Sequence, residues 1–156
     1  MSGAVALGVC LSLAAAGQAA APVFVPVERF TLAWTHSIEQ VRWEEDYAVR
    51  LGDAHDAPPV LQALTARIRG SGAGMEPPPD AVLRNGWFEY TPPTVSPEGL
   101  RLTRSAFTAD YDWCVAGRCT PLSSLLVSDG DVTLLTPCTD PTARRAPSAA
   151  SDNLAG

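Results

Sequence analysis

The chain has no lysine: all 11 of its basic residues are arginine. Without that lysine, and with no helical pattern after it, Gly70-Ser-Gly-Ala-Gly-Met-Glu76 is not a phosphate-binding P-loop. Cation is scarce altogether. The net charge is -6, the pI is near 4.7 and no basic stripe is present, which excludes nucleic acid as a partner class. The sequence also lacks a Gly-x-Ser-x-Gly nucleophile elbow, internal repeats and heptads. No apolar run reaches the roughly 20 residues of a membrane-spanning helix. Only two histidines and four cysteines remain as soft metal ligands.

What is present is enough apolar content for one core, 46% hydrophobic against 18% charged over 156 residues. Residues 4–16 are apolar and uncharged, and small residues up to Ala21 and then Pro22 follow them. This has the form of a secretory signal peptide over 1–21, with Gly17 and Ala19 at the selective positions for cleavage after Ala19. Lipid attachment at Cys10 fits poorly, because Val9 occupies the position where a small residue is required. The signal places the protein in the periplasm or otherwise outside the cytoplasm, with no membrane span once it is removed. A β domain over 22–138 and a disordered tail over 139–156, rich in Pro, Ala and Ser, complete the organisation. Loss of Cys10 with the signal leaves Cys114, Cys119 and Cys138, an odd number in an oxidising compartment.

Strand periodicity dominates the rest. Alternate residues Phe30, Leu32, Trp34 and His36 share one face, as do Val41, Trp43, Glu45, Tyr47 and Val49. A turn at 37–40 then pairs Trp34 with Trp43 and Leu32 with Glu45 in an antiparallel hairpin. Residues 60–69 suit a strand, although Val60, Leu61, Leu64 and Ile68 also suit a short helix. Further strands are expected at 87–90, 100–106, 109–115 and 132–136. The fold class is all-β, a small single-domain antiparallel sandwich or partly open barrel.

Several motifs carry candidate chemistry. In Asp112-Trp-Cys-Val-Ala-Gly-Arg-Cys-Thr-Pro121 a two-residue turn at Ala116-Gly117 sets Cys114 opposite Cys119, where a disulfide staples the hairpin. Two other readings stay open: a bond from Cys138 to one of them, or a three-thiolate metal site of Cys114, Cys119 and Cys138 with or without His36. His36, Ser37 and Glu39 either fix the turn by hydrogen bonds or contribute to a binding site. A hydrolase built on Ser37 is the remote reading, and no catalytic residue is assigned. Glu45 on an apolar face needs a partner, and Arg104, in phase with Leu100 and Leu102, is the candidate. That arginine is also a ready clamp for a small carboxylate. Gly72 and Gly74 permit close backbone approach in their loop.

The segments Phe30-Thr-Leu-Ala-Trp-Thr-His-Ser-Ile-Glu39, Trp43-Glu-Glu45 and Gly70-Ser-Gly-Ala-Gly-Met75 resemble the family catalogued as domain of unknown function 1850. The proline of its glycine loop arrives one place late here, after Glu76. The resemblance implies a small exported protein, non-enzymatic and without cofactor, associated with TAXI-type TRAP transporters of organic anions. It makes the transporter's solute receptor or permease the expected partner. A periplasmic metal-binding protein is the alternative.

Overall fold

Alternation in Arg29–Thr35 (β3) and Arg42–Arg50 (β4) produces the hairpin the sequence implies. Trp34 faces Trp43 and Leu32 faces Glu45, and the His36 amide donates to the Val41 carbonyl at 2.9 Å. In this computed structural model, residues 6–36, 40–54, 56–70, 77–95 and 97–140 are described. The hairpin lies at the centre of the larger of two sheets.

Val60–Arg69 (β5) pairs with β4, Val82–Arg84 (β6) with Trp87–Tyr90 (β7), and Asp112–Val115 (β9) with Arg118–Pro121 (β10). The larger sheet runs β10-β9-β3-β4-β5-β7-β6. Leu7–Leu13 (β1), Val23–Pro26 (β2), Leu100–Thr103 (β8) and Val132–Thr139 (β11) make the second, in the order β2-β1-β11-β8. Every pairing is antiparallel, and two sheets stand where a barrel was the other expectation.

The ambiguity of 60–69 has a physical cause. A β-bulge between Asp46 and Tyr47 changes the register, so Asp46 faces Thr65 but Tyr47 faces Ala63. The extra residue, Leu64, breaks strict alternation, and the apolar spacing then imitates a helix. Strand β6 was not expected. Its signal is the Asn85-Gly86 turn, with φ of 51° and 85°, which matches the twist of a two-residue hairpin.

The core lies between the sheets. Val9, Leu11, Leu102 and Leu135 of the smaller sheet meet Phe30, Leu32, Tyr47, Val49, Leu61 and Trp113 of the larger. Phe30 stacks on Trp113 at 4.5 Å and on Tyr47 at 5.4 Å.

Two of those residues, Val9 and Leu11, come from the run read above as a signal peptide. Each is 0% exposed, and β1 is flanked on both sides by partners. Gly8 is fitted closely: a Cβ there would fall 2.1 Å from the Val25 carbonyl oxygen. Cys10 bonds to Cys138. In this structure the β unit therefore includes residues before 22 and runs forward through Thr139. The tail expected to be disordered lies, beyond Asp140, outside the described residues.

Candidate functional site

Period-two geometry divides the acidic run Trp43-Glu44-Glu45-Asp46 between two faces. Glu44 and Asp46 point outward. Glu45 points inward with Trp43 and Tyr47. The Tyr47 hydroxyl donates to Glu45 Oε1 at 2.5 Å, and no arginine pairs with Glu45 among the described residues. In the register, Ala66 of β5 faces Glu45 and Tyr90 of β7 faces Ala66, so only a methyl group lies between the carboxylate and the tyrosine strand. Trp34 stacks on Trp43 with centroids 5.9 Å apart, and Tyr111 meets Trp34 edge-on at 5.7 Å. Trp34, Trp43, Glu45, Tyr90 and Tyr111 are all only partly buried. One half-buried carboxylate thus sits among five aromatic side chains.

The electrostatics agree with the geometry. Burial raises the Tyr47, Tyr90 and Tyr111 hydroxyls above the ordinary phenol value, and the Glu45 charge raises each further. These are the only 3 tyrosines in the chain. Their folded values lie above the unfolded ones, so the stability they contribute is complete below about pH 10 and lost as pH rises through the folded values. Phenolate absorbance at 295 nm is expected to stay absent through that pH and to appear together with alkaline unfolding. Glu45→Gln should bring its onset to lower pH. An onset unchanged in Glu45→Gln would remove Glu45 from the cluster.

Arg104 does not pair with Glu45, and the expectation that it does is corrected. It is 3% exposed, donating to Asp110 Oδ1 at 3.1 Å, to the Leu126 carbonyl at 2.7 Å and to Thr133 Oγ1 at 3.3 Å. Asp110 also accepts from the Ser123 and Tyr111 amides at 2.7 and 2.9 Å. Strand β8 ends at Thr103, so Arg104 closes the base of the loop that returns at Asp110. The guanidinium is held by structural partners beside a small cavity of about 230 Å³.

The outward face carries an open groove of about 650 Å³ with Arg29, Thr31, Glu44, Asp46 and Arg67 on its wall. Glu44, Asp46 and Arg67 engage one another. Arg67 reaches Glu44 and Asp46, each at 2.8 Å, Arg42 reaches Asp112 at 2.8 Å and Glu44 at 3.3 Å, and Thr31 donates to Asp46 at 2.5 Å. Partly exposed networks of this kind contribute modestly to stability and keep a sheet face wet. The aromatic cluster, with its singly bonded carboxylate, is the better candidate site.

The family profile described as Domain of unknown function (DUF1850) matches residues 30–122, more than half of the chain. The chain belongs to the DUF1850 family. No curated protein and no solved structure matches. The DUF1850 match runs from Phe30 to Leu122 and so includes all of the larger sheet but Arg29, with the aromatic cluster, whereas β1, β2 and β11 lie outside it.

The residues singled out in the DUF1850 motifs are placed unevenly. The His36 backbone closes the hairpin: its amide donates to the Val41 carbonyl and its carbonyl accepts from the Gln40 amide, both at 2.9 Å. Ser37, Glu39, Gly72 and Gly74 lie outside the described residues. The strands that lead into both hallmark loops end together, because Trp43 faces Ile68 in the β4–β5 pairing. Cys114 and Cys119 are bonded to each other with Cα atoms 4.0 Å apart, across the expected Ala116-Gly117 turn. With Cys138 bonded to Cys10, none of the three is a free thiolate, so the three-thiolate metal set with His36 is not formed. No cluster of three or more metal-ligating side chains occurs among the described residues. Sequence reasoning missed Trp34, Trp43, Tyr47, Tyr90 and Tyr111 as site residues. The hairpin alternation could have grouped the first three with Glu45, but only the topology adds the last two.

Proposed function

We propose that this DUF1850 protein is a non-catalytic, exported domain that handles a small organic ligand beside a TAXI-type TRAP transporter. The observation that carries ligand handling is the half-buried Glu45 carboxylate, ringed by aromatics at the end of the sheet where both family hallmark loops attach. Such a combination of apolar walls and one oriented polar group is what small-molecule sites use. Two disulfides support an oxidising compartment, the periplasm in this reading. The tie to the transporter, through its solute receptor or permease, rests on the family resemblance alone.

The test is uptake of an organic acid by cells that carry the transporter and lack this gene. Complementation by the native gene should restore uptake. His36→Ala and Glu45→Gln, both kept at native thermal stability, should restore it only poorly. Full restoration by both folded variants would remove the cluster from the function, and unaltered uptake in the deletion strain would remove the transporter.

A further inference from the structure

Among the described residues of β3 and β4, the carboxylate on the inward face at the Trp34–Trp43 end is Glu45. A carboxylate placed there for packing alone would be costly, since an inward charge needs a counter-charge or a full set of hydrogen bonds. Glu45 has the single Tyr47 hydroxyl. The nearest buried cation, Arg104, is engaged by Asp110, Thr133 and the Leu126 carbonyl. Around Glu45 stand ring systems whose faces are electron-rich. Trp34 and Trp43 lie within 14° of parallel and Tyr111 stands at 61° to Trp34, so the walls differ in orientation as those of an aromatic cage do. Aromatic faces and a carboxylate both favour a cation, and an ammonium group within about 6 Å of such rings is attracted by their quadrupoles. A bare carboxylate ligand would meet repulsion from Glu45 and from the ring quadrupoles.

A second feature points the same way. The Trp43 indole N–H is buried and finds no acceptor among the described residues. Buried donors are normally satisfied, and leaving one so is expensive. Trp43 and Glu45 are two residues apart on the same face of β4, which sets a donor lacking an acceptor beside an acceptor lacking a cation. That pair complements a molecule with a positive and a negative end.

We infer that Glu45, Trp34, Trp43, Tyr90 and Tyr111 form a seat for the ammonium group of a small organic molecule, a zwitterionic acid in the transport setting. This assignment rests on the ligand-handling reading above and narrows it: the class is the organic ammonium acids, bound by the cationic end. Tyr47 orients the carboxylate and does not itself contact the ligand.

The experiment uses the full chain and three probes. Choline carries the cation, 3,3-dimethylbutanol is its neutral isostere and acetate is a bare anion. Binding is followed by tryptophan fluorescence and by the indole N–H resonance of Trp43. Choline should give a saturable change and shift that resonance. The isostere should bind at least tenfold more weakly, and acetate should produce no change. Glu45→Gln should weaken choline at least tenfold, whereas Glu44→Gln, on the opposite face of β4, should retain binding. Equal binding of choline and its isostere would overturn the cation seat. Saturable acetate binding without choline binding would overturn it too, while leaving ligand handling intact. No response of the native protein to any probe, together with full uptake by Glu45→Gln cells, would overturn both.

Discussion

A chain lacking residues 1–21 is expected not to fold, and mature protein recovered from the periplasm is expected to retain β1. Deletion removes the strand that lies between β2 and β11, together with two side chains that are 0% exposed. Burial of a valine and a leucine stabilises by about 1.5–3 kcal/mol each. The Cys10–Cys138 bond, across a sequence separation of 128, contributes roughly 5 kcal/mol on the chain-entropy view, against a typical total of about 5–15 kcal/mol. Loss of all three removes about 8–11 kcal/mol, enough to unfold a protein of middling stability. Circular dichroism and near-ultraviolet fluorescence of the truncated chain should show an unfolded protein. Cys10→Ser alone should remain folded but weaker by about 2–5 kcal/mol in denaturant. The same arithmetic gives Cys114–Cys119, separated by only 5 residues, roughly 2 kcal/mol, so its loss should be the milder one. N-terminal sequencing of the exported protein decides the matter. A folded product beginning after Ala19 would show that β1 belongs to the leader and not to the fold.

The legibility of this fold in its sequence follows the range of the interactions. The β3–β4 and β9–β10 hairpins, with their registers and the Cys114–Cys119 bond, were readable because alternation and turn residues act over a few positions. The apolar run around β1 was not, since an uncharged segment rich in small residues has the same composition whether it is a leader or a doubly flanked strand. In β5 a single bulge residue was enough to disguise alternation. The site was half readable. Alternation places Glu45 among Trp34, Trp43 and Tyr47, but Tyr90 of β7 and Tyr111, just before β9, come from far along the chain, and only sheet order brings them there. Arg104 shows the same limit. Its burial was implied by its phase, yet β8 joins the smaller sheet, so its partner comes from its own loop and not from β4.

That loop supplies the second large effect: Arg104→Ala should destabilise the protein by roughly 1–3 kcal/mol for each of the two acceptors, Thr133 Oγ1 and the Leu126 carbonyl, that lose their donor. The arginine is 3% exposed and joins three separate segments, the loop through Asp110, the turn through the Leu126 carbonyl and β11 through Thr133. Removing it frees Asp110 and opens a gap between the sheet and both loops. Arg104→Met, which fills the space, should recover part of the loss. Acid provides an independent check. Burial would raise the Asp110 carboxyl, but the Ser123 amide and hydroxyl, Arg104 and the Tyr111 amide outweigh it and hold the group below its ordinary 3.8. A lowered folded value gives stability that is present above about pH 4 and lost as pH falls through the folded value. Asp110→Asn should therefore flatten the acid limb of the stability profile. An unchanged acid limb, together with native stability of Arg104→Ala, would show that the loop is held by something other than this pair.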